Sequence, residues 1–172
     1  MRQSFLRISA LTLIGAFTLF SFSLPVGAEN KKITVSAKRP LGWISNTVFT
    51  PGDVPNHEIA QRVYSYEITS SDADFNGFKT TNYGQSDDVA GTGTHRGYSA
   101  WPLKNGDTVW LKYEGSHKTI TKDGGAWETP FEGKFVFVGG TGKYKAIKGG
   151  GTYKGKASPE GSAWQSEVEM QY

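Results

Sequence analysis

An all-β fold, a barrel or a sandwich of short antiparallel strands with a single closed antiparallel barrel of about eight strands favoured, is predicted by three features of this sequence. Apolar and polar residues alternate with period two in one segment after another from Ile33 to Tyr172, the pattern of strands with one buried and one wet face. Glycine supplies 22 of the 172 residues, and it clusters with Asn, Asp and Pro between those segments, where turns are needed. Helical spacing is confined to residues 55–62, where Asn56 is a candidate cap for one short helix. Closure is expected because so many short strands would otherwise leave exposed edges.

The strands follow in order. Ile33, Val35 and Ala37 share a face opposite Thr34 and Ser36, and residues 63–69 read as one strand grouping Tyr64, Tyr66 and Ile68. Residues 108–117 put Val109, Leu111, Tyr113 and His117 in phase, and residues 131–138 group Phe131, Phe135 and Phe137. Residues 151–157 set Tyr153 against Thr152, Lys154 and Lys156. Residues 164–172 alternate most cleanly, with Trp164, Ser166, Val168, Met170 and Tyr172 inward and Gln or Glu between them. Weaker strands are expected over 43–49, 78–83 and 94–101, with turns at Asn105-Gly106-Asp107, Asp123-Gly124-Gly125, Gly139-Gly140 and Pro159-Glu160-Gly161.

Residues 1–28 read as a secretory leader outside the fold. Arg2 and Arg7 precede the apolar run 8–24, Pro25 breaks it, and Val26-Gly27-Ala28 offers small residues for cleavage after Ala28. The run is too short and too rich in hydroxyls for a membrane span, so none is expected after cleavage. The expected organisation is therefore a leader at 1–28, an N-terminal extension with the first strands at 29–62, and a barrel core at 63–172. The expected location is periplasmic or secreted.

Losing Arg2 and Arg7 takes the formal charge from +3 to +1, which argues against electrostatic capture of nucleic acid. With no cysteine, the chain has no disulfide, no thiol nucleophile and no zinc–thiolate site. His57, His95 and His117 lack the local spacing of metal ligands, and no metal or cofactor is expected. Asp72-Ala73-Asp74-Phe75-Asn76-Gly77 begins like a calcium loop, but Tyr83 stands where the closing glutamate would be. Glu167 and Glu169 share a wet face, and no Gly-x-Ser-x-Gly elbow occurs, so neither a carboxylate pair nor a hydrolase triad is supported.

The most distinctive stretch runs from Phe135 to Tyr153 and contains Gly139-Gly-Thr-Gly-Lys-Tyr144 and Gly149-Gly-Gly-Thr-Tyr153. Tyr144 follows Gly142-Lys143 where a phosphate loop has Ser or Thr, and the chain returns to strand character by Gly151, so the glycines read as a tight hairpin. This hairpin resembles that of the allene oxide cyclase-like barrels shared with plant dirigent proteins, specifically over 131–156 and compatibly from about 63 to 172. The resemblance implies a calycin-like, eight-stranded antiparallel barrel with an apolar interior open at one end. It also implies a cavity for a reactive hydrophobic molecule and assembly as a dimer or trimer. It carries over no catalytic residue, because the family's polar cavity residues match no motif here.

Tyr66, Tyr113, His117, Phe135, Phe137 and Tyr153 are the candidate ligand-binding residues, all in phase with inward positions. Phenols and an imidazole in an apolar pocket orient a small molecule or pack a core, and periodicity does not separate these roles. Three functions follow: an exported protein holding a small apolar or aromatic molecule, a cyclase- or isomerase-like enzyme steering a reactive substrate, or a structural oligomer of the envelope with a filled core. The first is the leading expectation, because no constellation for a reaction can be pointed to.

Overall fold

The computed structural model of the chain describes residues 30–172, so the expected leader at 1–28 lies outside the described residues. Its strands are β1 (Asn30–Arg39), β2 (Ser45–Phe49), β3 (His57–Tyr64), β4 (Glu67–Ser70), β5 (Phe78–Lys79), β6 (Thr81–Val89), β7 (Thr92–Pro102), β8 (Thr108–Lys118), β9 (Ile120–Thr121), β10 (Trp127–Gly140), β11 (Lys148–Ser158) and β12 (Gly161–Gln171). Two single 3₁₀ turns, Asp123–Gly125 and Gly142–Tyr144, complete the regular structure among the described residues. Every pairing is antiparallel, in the order β2-β3-β6-β7-β8-β10-β11-β12-β1-β4-β5, with β9 beside β10.

The eight longer strands form the wall, but hydrogen bonding does not close it. The expected closed barrel is a curled sheet with free edges at β2 and β5. The chain itself crosses the seam, because β3 ends at Tyr64, β4 begins at Glu67, and Ser65-Tyr66 carries the backbone between the two sheet ends. The single strand expected over 63–69 is thus two. Val63 pairs with Tyr83 of β6, whereas Glu67 pairs with Lys38 of β1, so the strand has to change partners midway.

Residues 55–62 form no helix. Asn56 takes a left-handed φ of 59°, its carbonyl accepts from the Ala90 amide, and β3 then pairs with β6 from His57↔Val89 to Tyr64↔Asn82. A full ladder outweighs the weak helical preference of so short a segment. β1 pairs with β12 from Asn30↔Gln171 to Arg39↔Ser162, which builds the first strands of 29–62 into the wall.

One end of the sheet is packed solid. Phe75 and Tyr144 are 0% exposed and stack edge to face at 5.3 Å, and Trp101, 2% exposed, touches Phe75, Phe78, Phe135 and Phe137. The loop that resembled a calcium site is the plug of this end. Asp72 accepts from the amides of Asp74 and Phe75 and pairs with Lys31, while Asp74 binds Lys143 at 2.6 Å and the Tyr144 hydroxyl at 2.8 Å. In the hairpin, Gly149 sits at φ 105° where a Cβ would run into the Glu169 carbonyl, so only glycine fits.

Candidate ligand cavity

Above the packed end the interior opens into a cavity of about 390 Å³. Trp101, Leu111 and Phe135 line its inner part, and Phe131, Trp164 and Trp43 are among the rings toward the open end. Period-two alternation aims these side chains inward, since β7, β8 and β10 run in register with Ser99↔Leu111 and Phe135↔Tyr113.

A continuous polar chain crosses this wall. Asp88 Oδ1 pairs with His117 Nε2, His117 Nδ1 lies 3.3 Å from His95 Nδ1, and His95 Nε2 lies 2.7 Å from the Tyr153 hydroxyl. Behind Asp88, its Oδ2 accepts from the Ser86 hydroxyl at 3.0 Å, which in turn accepts from Arg62 Nη1 at 2.7 Å. At the far end the Tyr153 hydroxyl donates to the Glu114 carbonyl at 3.2 Å.

Two proton arrangements satisfy the chain. With His117 neutral and its Nε2–H on Asp88, His95 donates from Nδ1 to His117 and accepts at Nε2 from Tyr153. With His117 protonated on both nitrogens, it donates to His95 Nδ1, and His95 donates from Nε2 to Tyr153. The arrangements differ by one proton, and they differ also in where the Tyr153 hydrogen goes: to His95 Nε2 in the first and to the Glu114 carbonyl in the second.

Burial, and next the charge of His117, hold the His95 imidazole down at about 4, against the pull of Asp88. Burial pushes the Asp88 carboxyl up, but the hydrogen bond and charge of His117, with Ser86 and Arg62, outweigh it and keep the group below its ordinary value. Burial raises the Tyr113 and Tyr153 phenols and lifts Tyr64 to about 12. All three phenols are therefore neutral hydrogen-bonding groups at pH 7. Tyr64 and Tyr113 bond to each other at 3.0 Å, and Tyr66 bonds to Ser162 at 2.8 Å.

Glycines make room for these rings. A Cβ on Gly115 would lie 2.7 Å from His95 Nε2 and 2.8 Å from the Tyr153 hydroxyl oxygen, and one on Gly133 would collide with Tyr153 and the Glu114 carbonyl. Gly133→Ala is expected to cost about 1–3 kcal/mol by overpacking, read as a lowered melting temperature. An unchanged melt would mean that Tyr153 and the Glu114 backbone both give way without penalty.

Of the residues singled out from sequence, Tyr66, Tyr113, His117, Phe135 and Tyr153 line the cavity. Phe137 is not among the lining residues and packs on Trp101 and Phe135 in the core. Asp88, His95, Arg39 and Arg62 are lining residues that sequence reading did not single out as ligand-binding. The signal for Asp88 was inverted alternation in β6, where Asn82, Ser86 and Asp88 are buried while Tyr83 and Val89 are exposed. His95 was hidden because the inward positions around it on β7 are Gly93 and Gly97, which carry no apolar signal.

No protein-family model matches the sequence, and no curated protein matches it. Among solved structures the chain is similar to a pterocarpan synthase dirigent protein, at 9% identity over 95% of this chain and 99% of that one, with a TM-score of 0.48. A likeness at this level carries nothing about ligand or chemistry.

Proposed function

We propose that this is an exported protein that holds a small aromatic molecule in the open end of its barrel. The observation that carries the proposal is the cavity of about 390 Å³, set above a solid aromatic floor and lined by rings with a few convergent hydroxyl and imidazole groups. A pocket of that size and mixture suits a compact ring-bearing ligand. Export rests on the leader-like order of residues 1–28. The proposed kinship with allene oxide cyclase-like barrels rests only on the resemblance of the hairpin over 131–156.

A second function, proton transfer on a bound substrate by a cyclase- or isomerase-like enzyme, is favoured by the chain from Asp88 to Tyr153, which moves a proton between two hydrogen-bonded states. Holding is preferred because every nitrogen and hydroxyl of that chain is already engaged within the protein.

The test is titration of protein purified from its envelope with N-phenyl-1-naphthylamine, an uncharged fluorescent aromatic. Saturable binding of one probe per chain is expected. Ala157→Trp, which places an indole at a lining position, is expected to weaken it at least tenfold. Binding equally tight in that variant, or no saturable binding in the parent, would sink the proposal.

A further inference from the structure

We infer that the molecule held in this cavity is an aromatic acid and that the Arg39 guanidinium receives its anionic group, an inference that rests on the binding role proposed above. Arg39 ends β1 and lines the cavity. Its guanidinium carbon lies 4.5 Å from the ring centre of Trp43, 4.8 Å from that of Tyr64 and 5.5 Å from that of Tyr66. Three aromatic rings thus hold the cation in place.

Only part of its hydrogen-bonding capacity is used. Nη1 donates to the carbonyls of Pro40 at 3.2 Å and Gly42 at 2.8 Å. Nε is buried with no acceptor, and among the described residues no carboxylate pairs with the group. A guanidinium carries five N–H donors in a planar fork that matches a carboxylate or sulfonate. Among the described residues Nη2 donates to no group of the protein and, unlike Nε, is not sealed inside it, so an anion in the cavity meets the guanidinium there.

The other charges around the cavity leave Arg39 as the uncompensated one. The Arg62 guanidinium carbon lies 5.1 Å from the Trp43 ring centre, and Arg62 is engaged by Asn46 and by Ser86, which links it to Asp88. Asp88 is in turn engaged by His117. Glu58, the remaining lining acid, is exposed, where solvent screens it. A cationic ligand would meet two guanidinium groups, and a neutral one would leave Arg39 unmet. The aromatic body follows from Trp43, Phe131 and Trp164, which line the same cavity.

Two probes with one aromatic body test this at pH 7.5. The anion 8-anilinonaphthalene-1-sulfonate differs from N-phenyl-1-naphthylamine only by its sulfonate. The parent protein is expected to bind both, the sulfonate at least tenfold more tightly. Arg39→Met is expected to remove that preference, so that the variant binds the two probes within about twofold of each other. Arg39→Lys keeps the charge and stem, guards against a Met variant that fails to fold, and is expected to retain a reduced preference. Equal affinity of the parent for both probes, or a preference unchanged in a folded Arg39 variant, overturns the acid while leaving the cavity role standing. Saturable binding of neither probe overturns both.

Discussion

Trp101→Ala is expected to cost about 3–5 kcal/mol of stability, the largest effect of any single substitution considered for this chain. The indole is 2% exposed and meets Phe75, Phe78, Phe135 and Phe137 at ring-centre distances of 5.9–6.3 Å. Its Nε1–H donates to Ser99 Oγ at 3.1 Å, so the substitution removes a hydrogen bond as well as packing. The surrounding rings are held from several strands and from the plug, and cannot collapse into the space. For a domain of this size the loss corresponds to a melting temperature lower by about 10–15 °C. Because Trp101 also forms the floor of the cavity, the variant is expected to hold a larger void and to bind naphthyl probes in a changed environment. A melt within a few degrees of the parent would show that the floor is not the stabilising centre of the fold.

Acid is expected to destabilise the protein by about 3 kcal/mol through His95 alone. The folded imidazole is held down at about 4 by burial first and by His117 second, whereas the unfolded side chain titrates near 6.5. Between those values the unfolded chain binds a proton that the folded chain refuses. Stability is therefore complete above about 6.5 and falls as pH drops toward about 4. Asp88, held below its ordinary value, loses its contribution in the same direction as pH falls through its folded value. His57 acts oppositely. Its hydrogen bonds to Asp53 and then Asp87 raise it, so its contribution is present in acid and lost as pH rises. Solvent screening keeps that opposing term small. Urea unfolding at pH 7.5, 5.5 and 4.0 should show the decline in the parent and a smaller one in His95→Gln. The same decline in both proteins would place the acid sensitivity elsewhere.

The sequence resolved much of this cavity, but unevenly. Tyr113 and Phe135 could be placed inward because each has an apolar neighbour two positions away, and Tyr66 because Tyr64 and Ile68 flank it. His117 could be placed because it continues the phase of Val109, Leu111 and Tyr113, and Tyr153 because it alternates with Thr152 and Lys154. Phe137 obeys the same alternation, yet its depth along the barrel, and so its place in the core, depends on which end is plugged. That plug comes from Phe75 and Tyr144, in segments with no strand pattern of their own. Asp88 and His95 escaped because polar groups inside a strand invert the expected alternation. Their burial is tolerable only with partners in place, and those partners are remote: His95 meets Tyr153 58 residues away.

The all-β class, the faces of most strands and the glycine hairpin were determined by the sequence alone, because side-chain alternation and turn chemistry are local properties of the backbone. Three features were decided only by the tertiary structure: the open seam at Ser65-Tyr66, the chain from Asp88 to Tyr153, and the ring of aromatics around Arg39. Each depends on which distant strands become neighbours. Strand pairing brings these side chains together, and no periodicity within one segment records its eventual partner.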